Sequence, residues 1–208
     1  MDFPTLMQTR RAVHHFLPGG GLTQTAYEAL LRVVAHTPSG YNAQPWRFLL
    51  VTDPAVLAAV QAAAHDQSHI TEAGSVVFIL GDMHWQRAEK ARILRQWREI
   101  RGLSDAQLQS LQASLEKERP EAQVREMTLR AAAMASMSFL LAVEDAGYAS
   151  CPMMGFSQPR VRAILQLPER YLFGLMVAVG TADPEKTEPP LPRKDVSALC
   201  YSGLAEHD

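Results

Sequence analysis

The sequence predicts an α+β fold in which several helices cover a small sheet. Three short apolar runs rich in strand-forming residues, at 47–52, 74–82 and 172–182, are separated by unequal gaps and do not repeat with a fixed period. A longer stretch, residues 120–145, is apolar around the whole circumference of a helix in its middle, which is typical of a helix surrounded by protein. These observations favour mixed layers built around one central helix.

Length and composition indicate a single domain spanning residues 1–208. A chain of 208 residues with 47% hydrophobic side chains is long enough to bury one substantial core. The composition does not shift abruptly anywhere along the chain, and internal repeats and low-complexity segments are lacking. We therefore expect one domain.

The charge pattern argues against nucleic acid and membrane partners. The formal net charge of −2 comes from 20 basic and 22 acidic residues that are interspersed, so no strong field attracts DNA or an anionic lipid surface. The longest apolar run, residues 131–143, is shorter than the roughly 20 residues that cross a bilayer. The N-terminus does not resemble a secretory signal, and Cys151 and Cys200 are too few for a disulfide framework. We expect a cytoplasmic protein.

Helix start signals divide the first half of the chain. Thr25 and Glu28 fit a capping box that opens a helix ending near Pro38. Asp53 and Pro54 supply an N-cap and a first-turn proline for a second helix, directly after the first apolar strand. This order predicts a strand followed by a helix.

The second half contains further helix signals. Residues 84–118 look helical with a break at 102–104, where Ser104 and Gln107 form another capping box. Ser157 opens a short helix before the last strand. The charged residues of the 84–118 region predict a peripheral position for it.

The basic segment near the N-terminus is a candidate phosphate site. In TRRAVHHF, residues 9–16, an extended or early helical backbone brings Arg10, Ala12 and His14 toward a common side, next to Arg11. The planar fork of arginine suits a phosphate group. A solvated basic turn explains the same residues and remains open.

The segment TPSGYNAQPW, residues 37–46, contains no acid and no base. Pro38 and Gly40 predict a turn, and Ser39, Asn42 and Gln44 offer hydrogen-bonding groups. Such a loop can bind the edge of a flat polar ring without bringing a charge to it. The alternative is an Asx-type turn that caps the preceding helix.

Other reactive side chains carry weaker signals. His65 and His69 are four residues apart, but a third metal ligand at a matching spacing is missing, so we predict no metal. The residue pattern favours Cys151 as a buried thiol over a nucleophile. Hydrolase motifs and a convincing pair of acids are absent from the sequence, and we predict no catalytic side chain.

Five segments in a fixed order give the chain a family resemblance. They are RRAVHHF, TPSGYNAQPWRFLLV, EAGSVVFILGD, EDAGYASCPMMGF and a C-terminal tail that contains an arginine. This series resembles the FMN-dependent nitroreductase family, and within it the compact subgroup of NAD(P)H nitroreductases with quinone-reductase-like relatives. The similarity covers nearly the whole chain.

The resemblance implies a nitroreductase-like α+β fold with a small, mainly antiparallel sheet surrounded by helices. It also implies an interlocked homodimer that binds two FMN molecules between its subunits. NADH or NADPH would be the transient electron donor, and a nitroaromatic, a quinone or a related small molecule would be the electron acceptor in a ping-pong reaction. The cofactor would then carry the chemistry, which agrees with the lack of a catalytic triad.

The resemblance assigns the phosphate end of the site to the basic segment and the tail. Arg10 and Arg11 match the family's leading arginine segment, and His14 occupies a position often filled by lysine or arginine. Ala12 stands where the family commonly has a serine. Arg193 is our choice for the tail arginine that binds the phosphate, with Lys194 as the alternative.

The resemblance also assigns the ring end of the site. The loop residues that would pack against the isoalloxazine ring from the other subunit are Pro38, Ser39, Gly40 and Asn42. Gln67 and His69 match a stretch at the polar edge or the ribityl chain. The wall near flavin N5 would consist of Pro152, Met153, Met154 and Gly155, with Met154 in place of an acid found in some relatives.

Two other functions remain open at this point. The first is a flavin enzyme of the same fold with a narrow role on one metabolite. The second is a protein that binds or senses FMN without turnover, which the replacements at Ala12 and Met154 keep open.

Overall fold

Eight α-helices and five β-strands occur in the residues that this computed structural model describes, 1–186 and 188–200. The helices are α1 (Phe3–Thr9), α2 (Gln24–Val34), α3 (Pro54–Ala62), α4 (His69–Glu72), α5 (Trp85–Glu99), α6 (Asp105–Glu116), α7 (Glu121–Asp145) and α8 (Gln158–Ile164). The strands are β1 (Phe16–Leu17), β2 (Trp46–Val51), β3 (Val76–Asp82), β4 (Ala149–Met153) and β5 (Tyr171–Ala182). Single 3₁₀ turns occupy Gly40–Asn42, Pro184–Lys186 and Val196–Ala198.

The strands form one antiparallel sheet centred on β5. The sheet has the order β1-β5-β3-β2, and β4 also pairs with β5. In register, Trp46 of β2 lies opposite Gly81 of β3, and Val76 of β3 lies opposite Ala178 of β5. The sequence predicted only three strands. It missed β1, which has two residues, and β4, whose Pro152 and short length gave no strand pattern without its partner β5.

Helices bury both faces of the sheet. On one face, α2 and α7 pack against alternate residues of β3 and β5, with Phe139 and Val143 of α7 fully buried there. On the other face, α3, α4 and α8 cover the intervening residues of the same strands, such as Phe78 of β3 and Met176 of β5. Because successive side chains of a strand point to opposite faces of the sheet, β3 and β5 contribute to two separate apolar clusters.

Helix α7 is the central helix that the sequence predicted, and Pro120 precedes its first residue. By length and composition it could cross a membrane, with 44% of its most apolar window buried inside the protein. It contacts β2, β3, β4 and β5, and its buried residues lie against the sheet. It is the core helix of this fold.

Of the four predicted helix starts, two have the expected caps, Ser157 begins α8 without a side-chain hydrogen bond to it, and the fourth start shifts. Asp53 accepts hydrogen bonds from the N–H groups of Ala55 and Val56, and Ser104 and Gln107 form the expected capping box. Helix α2, however, is capped by Thr23, which accepts from Ala26, and not by Thr25. Thr23 and Thr25 are alike in sequence, and the earlier one has the extended backbone that an N-cap requires.

Helices α5 and α6 pack against each other as a pair beside the sheet. Their shared core contains Trp85, Ile93, Leu111 and Leu115, together with Ala43 from the loop before β2. The prediction of a peripheral helical region is confirmed. The contact through Ala43 places this helix pair next to the segment 37–46, which contains no acid and no base.

Candidate functional site

The basic segment is extended and lies beside β4. Arg10 is the C-cap of α1, and Ala12 forms an isolated parallel bridge with Ser150. The N–H of Val13 donates to the carbonyl oxygen of Ser150 at 3.0 Å. Ala12 and His14 are exposed while Val13 packs against the core, so the residues alternate as an extended backbone requires.

Arg10 and Arg11 are half-buried at the start of this segment. Within residues 1–186 and 188–200, neither guanidinium group has a hydrogen-bond or ion-pair partner. Two unpaired guanidinium groups on adjacent residues raise the local positive potential and leave their N–H donors available. An anion with several oxygen acceptors suits this arrangement.

His14, His69 and Met153 form a contact cluster at the other end of the segment. The rings of His14 and His69 meet edge to face, with centroids 5.4 Å apart. His69 Nε2 lies 3.0 Å from the sulfur of Met153. Burial, and secondarily the neighbouring His14, lower the pKa of His69, so its neutral form is favoured.

Gln67 and Gly155 extend this cluster along the protein surface. The side-chain amide of Gln67 donates to the carbonyl oxygens of Ala64 at 2.8 Å and Gly155 at 3.1 Å. Met154 is 78% exposed, although it is a large apolar side chain. Apart from Gly155 and its two chain neighbours, no atom of the described residues lies within 4 Å of the position that a Cβ would occupy there. Pro152 lies on β4 opposite Val177.

The uncharged loop, residues 38–45, is held by its own polar side chains. Ser39 Oγ accepts from the N–H of Gln44 at 2.9 Å, and the Gln44 side chain donates to Asn42 Oδ1 at 3.0 Å. Pro38, Gly40 and Asn42 are exposed. Asn42 does not cap α2, whose last turn is closed by backbone bonds alone, so the alternative of a helix-capping Asx turn is wrong.

Sequence reasoning missed the residues that anchor this loop from α5. Arg92 donates to the carbonyl oxygens of Asn42 and Ala43, at 3.0 and 2.8 Å. Gln96 accepts from the Asn42 side chain at 3.3 Å, and Trp97 Nε1 donates to the carbonyl oxygen of Tyr41 at 3.3 Å. The only signal for them was the spacing of four between Arg92 and Gln96, which is common on any solvated helix.

A groove of about 510 Å³ runs between the uncharged loop and the end of α5. It is lined by Tyr41, Trp97, Ile100 and Arg101, with Pro38, Ser39, Asn42 and Gln96 completing the walls. Its volume lies in the range of sites that bind small organic molecules. Ile100 is 76% exposed at its rim.

The predicted site residues fall into two groups within one chain. Arg10, His14, Gln67, His69 and Met153 lie along α4, β4 and the extended segment, whereas the uncharged loop lies beside α5. Among the described residues, no hydrogen bond, ion pair or ring contact joins the two groups. Arg193 and Lys194 are exposed, and their side chains form no hydrogen bond or ion pair with described residues.

The remaining reactive side chains are outside this arrangement. His65 lies in a turn between α3 and α4 with a φ of 57°, so it does not share a helix with His69. The described part of the chain holds no group of three side chains that could bind a metal ion. Cys151 is buried in the core, and burial raises the pKa of its thiol to about 11.

Comparison with known proteins decides the family. The nitroreductase family model matches residues 7–181. The chain belongs to the nitroreductase family. A relative, the NADH dehydrogenase of Thermus thermophilus, is 32% identical to this chain over 185 residues, covering 86% of each chain.

Solved structures show the same nitroreductase-like fold. The ydfN protein of Bacillus subtilis superposes with a TM-score of 0.88 at 26% identity, over 96% of this chain and 98% of its own. A protein from Exiguobacterium sibiricum, solved in complex with FMN, gives a TM-score of 0.86 at 21% identity over 98% of both chains. The α+β fold with an antiparallel sheet surrounded by helices, expected from the sequence, is confirmed.

Proposed function

We propose that this nitroreductase-family protein is an FMN-dependent oxidoreductase that uses NADH or NADPH to reduce small acceptors such as nitroaromatics and quinones. The observation that carries the proposal is the pair of guanidinium groups, Arg10 and Arg11, at the start of a polar row, which have no partner among the residues that the structure describes. The row continues through His14 to Gln67 and Gly155. Its cationic end suits a phosphate, and its uncharged end suits a polar ring.

Relatives support both the cofactor and the electron donor. The relative from Exiguobacterium sibiricum was solved with FMN, and the relative from Thermus thermophilus is named as an NADH dehydrogenase. The family resemblance of the basic segment and the uncharged loop points to the same cofactor.

The hydrogen-bond donors and the open space along the polar row fit the phosphate and the ring of FMN. Arg10 and Arg11 offer free N–H groups to a phosphate, and Ala12 offers no hydroxyl there, so the guanidinium groups carry more of the binding. The open space at Gly155 lets a flat ring approach the backbone. The exposed Met154 provides an apolar surface that such a ring would cover.

Bound FMN supplies the ability to take up a hydride from the nicotinamide and to pass the electrons to the acceptor. The protein's own residues would bind the cofactor, orient it and shield it from water. The exposed imidazole of His14 offers an N–H donor within the row, which suits an anionic ring. No side-chain nucleophile is needed, which agrees with the buried thiol of Cys151.

We also propose a homodimer in which each site combines the basic segment of one subunit with the uncharged loop of the other. Support comes from the separation of the two groups within one chain and from an exposed apolar face beside α7. There Phe3, 65% exposed, and Val33, 63% exposed, line one cleft together with Leu141 of α7. Exposed apolar residues in this number are typical of a subunit interface.

The groove beside the uncharged loop supports a small-molecule acceptor. Tyr41, Trp97 and Ile100 give it aromatic and apolar walls that suit a ring compound. The loop that forms one wall is the loop expected to meet the flavin. An acceptor in the groove would therefore lie near the cofactor.

Absorption spectroscopy of the purified protein tests the cofactor. We expect a flavin spectrum, release of FMN on denaturation, one FMN per chain, and anaerobic bleaching by NADH or NADPH. A protein that stays colourless with excess FMN contradicts the proposal. A yellow protein that neither donor bleaches supports the alternative of FMN binding or sensing without turnover.

Substitution at the phosphate end tests the assignment of the site. Arg10→Ala should weaken FMN binding by about tenfold or more, because a charge-assisted hydrogen bond to phosphate is lost. Arg95→Ala, on the exposed side of α5, removes the same charge elsewhere and should leave FMN binding unchanged. Arg193→Ala and Lys194→Ala, compared in the same assay, distinguish the two candidates in the tail.

Mixed dimers test whether each site uses both subunits. A dimer that pairs an Arg10→Ala chain with an Asn42→Ala chain would keep one intact site and place both lesions in the other. It should retain about half of the wild-type activity. If each site used one chain alone, both sites would carry a lesion, and the mixed dimer would be as weak as its parents.

We place the protein in the cytoplasm and treat residues 1–208 as one domain, as the sequence predicts. Cys151 and Cys200 are both free, which suits a reducing compartment. The family model matches residues 7–181 as one unit, in agreement with a single domain. Cell fractionation and limited proteolysis test these two proposals.

A further inference from the structure

The backbone of the uncharged loop has an unusual conformation. Tyr41, Asn42 and Gln44 have φ angles of 57°, 55° and 49°, although none of them is glycine. Left-handed conformations are unfavourable for residues with a Cβ and persist when surrounding contacts enforce them. Contacts from outside the loop therefore add to its internal hydrogen bonds in keeping this shape.

Arg92 provides the closest support. Besides its bonds to the carbonyl oxygens of Asn42 and Ala43, its guanidinium donates to Gln96 Oε1 at 3.0 Å and Glu89 Oε2 at 2.7 Å. One planar group thus binds two consecutive carbonyls of the loop and two side chains of its own helix. The fixed fork of arginine makes such simultaneous bonding possible, and the single ammonium of lysine does not.

A series of ion pairs holds the Arg92 side chain in position. Glu89 pairs with both Arg92 and Arg47, at 2.7 and 2.9 Å, and Arg47 lies on β2 directly after the loop. Burial opposes ionisation of Glu89, but hydrogen bonds from Arg92 and Arg47 outweigh it and lower its pKa. Arg47 also lies 4.0 Å from the buried carboxylate of Asp82 on β3. The loop is thereby tied to the sheet through α5.

Two neighbouring contacts complete the support. Trp97 Nε1 donates to the carbonyl oxygen of Tyr41, and the Tyr41 hydroxyl lies 2.9 Å from Ser114 Oγ on α6. The helix pair α5 and α6 therefore holds the loop at Tyr41, Asn42 and Ala43 in succession.

We infer that Arg92 is a positioning residue that holds the uncharged loop in the shape required to bind FMN. This inference rests on the proposed function, because the loop is expected to meet the flavin ring. Arg92 itself acts through the backbone of Asn42 and Ala43. The region between β3 and α7 would then contribute to cofactor binding as well as to the acceptor groove.

Substitution of Arg92 tests the inference in two measurements. In FMN-free protein, Arg92→Gln should raise hydrogen exchange in residues 39–44 by about tenfold, because the carbonyl anchors are lost. In the same variant the dissociation constant of FMN should rise by about tenfold, since the binding shape is less populated. Arg92→Lys should recover only part of both losses. Arg95→Gln, on the same helix, should change neither.

The outcomes separate this inference from the proposed function. If wild-type protein binds FMN and is bleached by NAD(P)H while Arg92→Gln changes neither exchange nor affinity, the inference is wrong and the function stands. Faster exchange with unchanged FMN affinity also overturns it. If wild-type protein fails to bind FMN, the function and the inferred role both fail, even where loop exchange rises.

A second variant tests the inference if misfolding of Arg92→Gln is the cause of its lost FMN binding. Should Arg92→Gln fail to fold, as judged by circular dichroism, Arg92→Lys keeps the positive charge but replaces the planar fork that serves four acceptors with a single ammonium group. We then expect a smaller rise, about threefold, in loop exchange and in the FMN dissociation constant. Wild-type values for both would overturn the inference.

Discussion

His69 on α4 and Met153 on β4 are joined through a ring nitrogen and a sulfur 3.0 Å apart. The contact connects two elements of the polar row, and it forms where the histidine is largely removed from solvent. Protonation of His69 would place a positive charge in this buried environment, beside the ring of His14. The burial of His69 beside His14 therefore makes the folded state sensitive to pH.

The first prediction concerns this pH dependence. Burial and His14 lower the pKa of His69 below its ordinary value of 6.5, so the unfolded chain takes up a proton more readily than the folded one. The stability present above that value is lost as the pH falls through the folded-state pKa. Urea unfolding at about pH 7.5 and about pH 5 should show a smaller loss in His69→Gln than in wild type. Equal losses would contradict the prediction, and the exposed His36→Gln is the control.

The second prediction concerns the two thiols. Cys151 is buried, and its pKa is raised to about 11, whereas Cys200 is exposed. Since the thiolate is the reactive form, a disulfide reagent at about pH 8 should label one thiol per chain quickly and the other only after unfolding. Cys200→Ser should abolish the fast reaction. Fast labelling of that variant would show that Cys151 is accessible.

The third prediction concerns the core between α7 and the sheet. Phe139 is fully buried and its ring lies 5.7 Å from that of Phe48. Phe139→Ala should lower the free energy of unfolding by about 3–5 kcal/mol, because it removes contacts and leaves a cavity. Leu191→Ala, at a side chain 79% exposed, should change it by less than about 0.5 kcal/mol. Denaturant titration measures both.

The fourth prediction concerns the start of α3. The carboxylate of Asp53 accepts from Ala55 and Val56 at 2.9 and 3.0 Å. Asp53→Ala should cost about 0.5–2 kcal/mol of stability, and Asp53→Asn should retain most of it, since the amide oxygen also caps. Thermal melts of the three proteins compare these values. Equal melting temperatures for Asp53→Ala and wild type would show that the cap contributes nothing.

Local signals in the sequence predicted the parts of the fold that depend on short-range chemistry. Asp53 and Ser104 are caps because their side chains bond N–H groups two or three residues away. Strands β1 and β4 could not be predicted, because their stability comes from pairing with β5, far along the chain. Thr23 and Thr25 differ only in backbone conformation, which the sequence does not display.

The same distinction applies to the site. The polar row and the uncharged loop could be predicted because their residues are consecutive or match a family pattern. The support of the loop could not, because Arg92 is 50 residues from Asn42 and one of many charged residues on α5. Contacts between Arg92 and two backbone carbonyls leave no side-chain pattern in the loop itself.

The position of β5 has a consequence for how the chain acquires its structure during synthesis. The strand ends at Ala182, and β1, β3 and β4 all pair with it. Until the ribosome has released that segment, the paired strands β2 and β3 and the helices lack the central strand of the sheet, and much apolar surface stays exposed to water. Nascent chains in which β5 is still inside the ribosome should therefore engage chaperones more strongly than chains in which β5 has emerged.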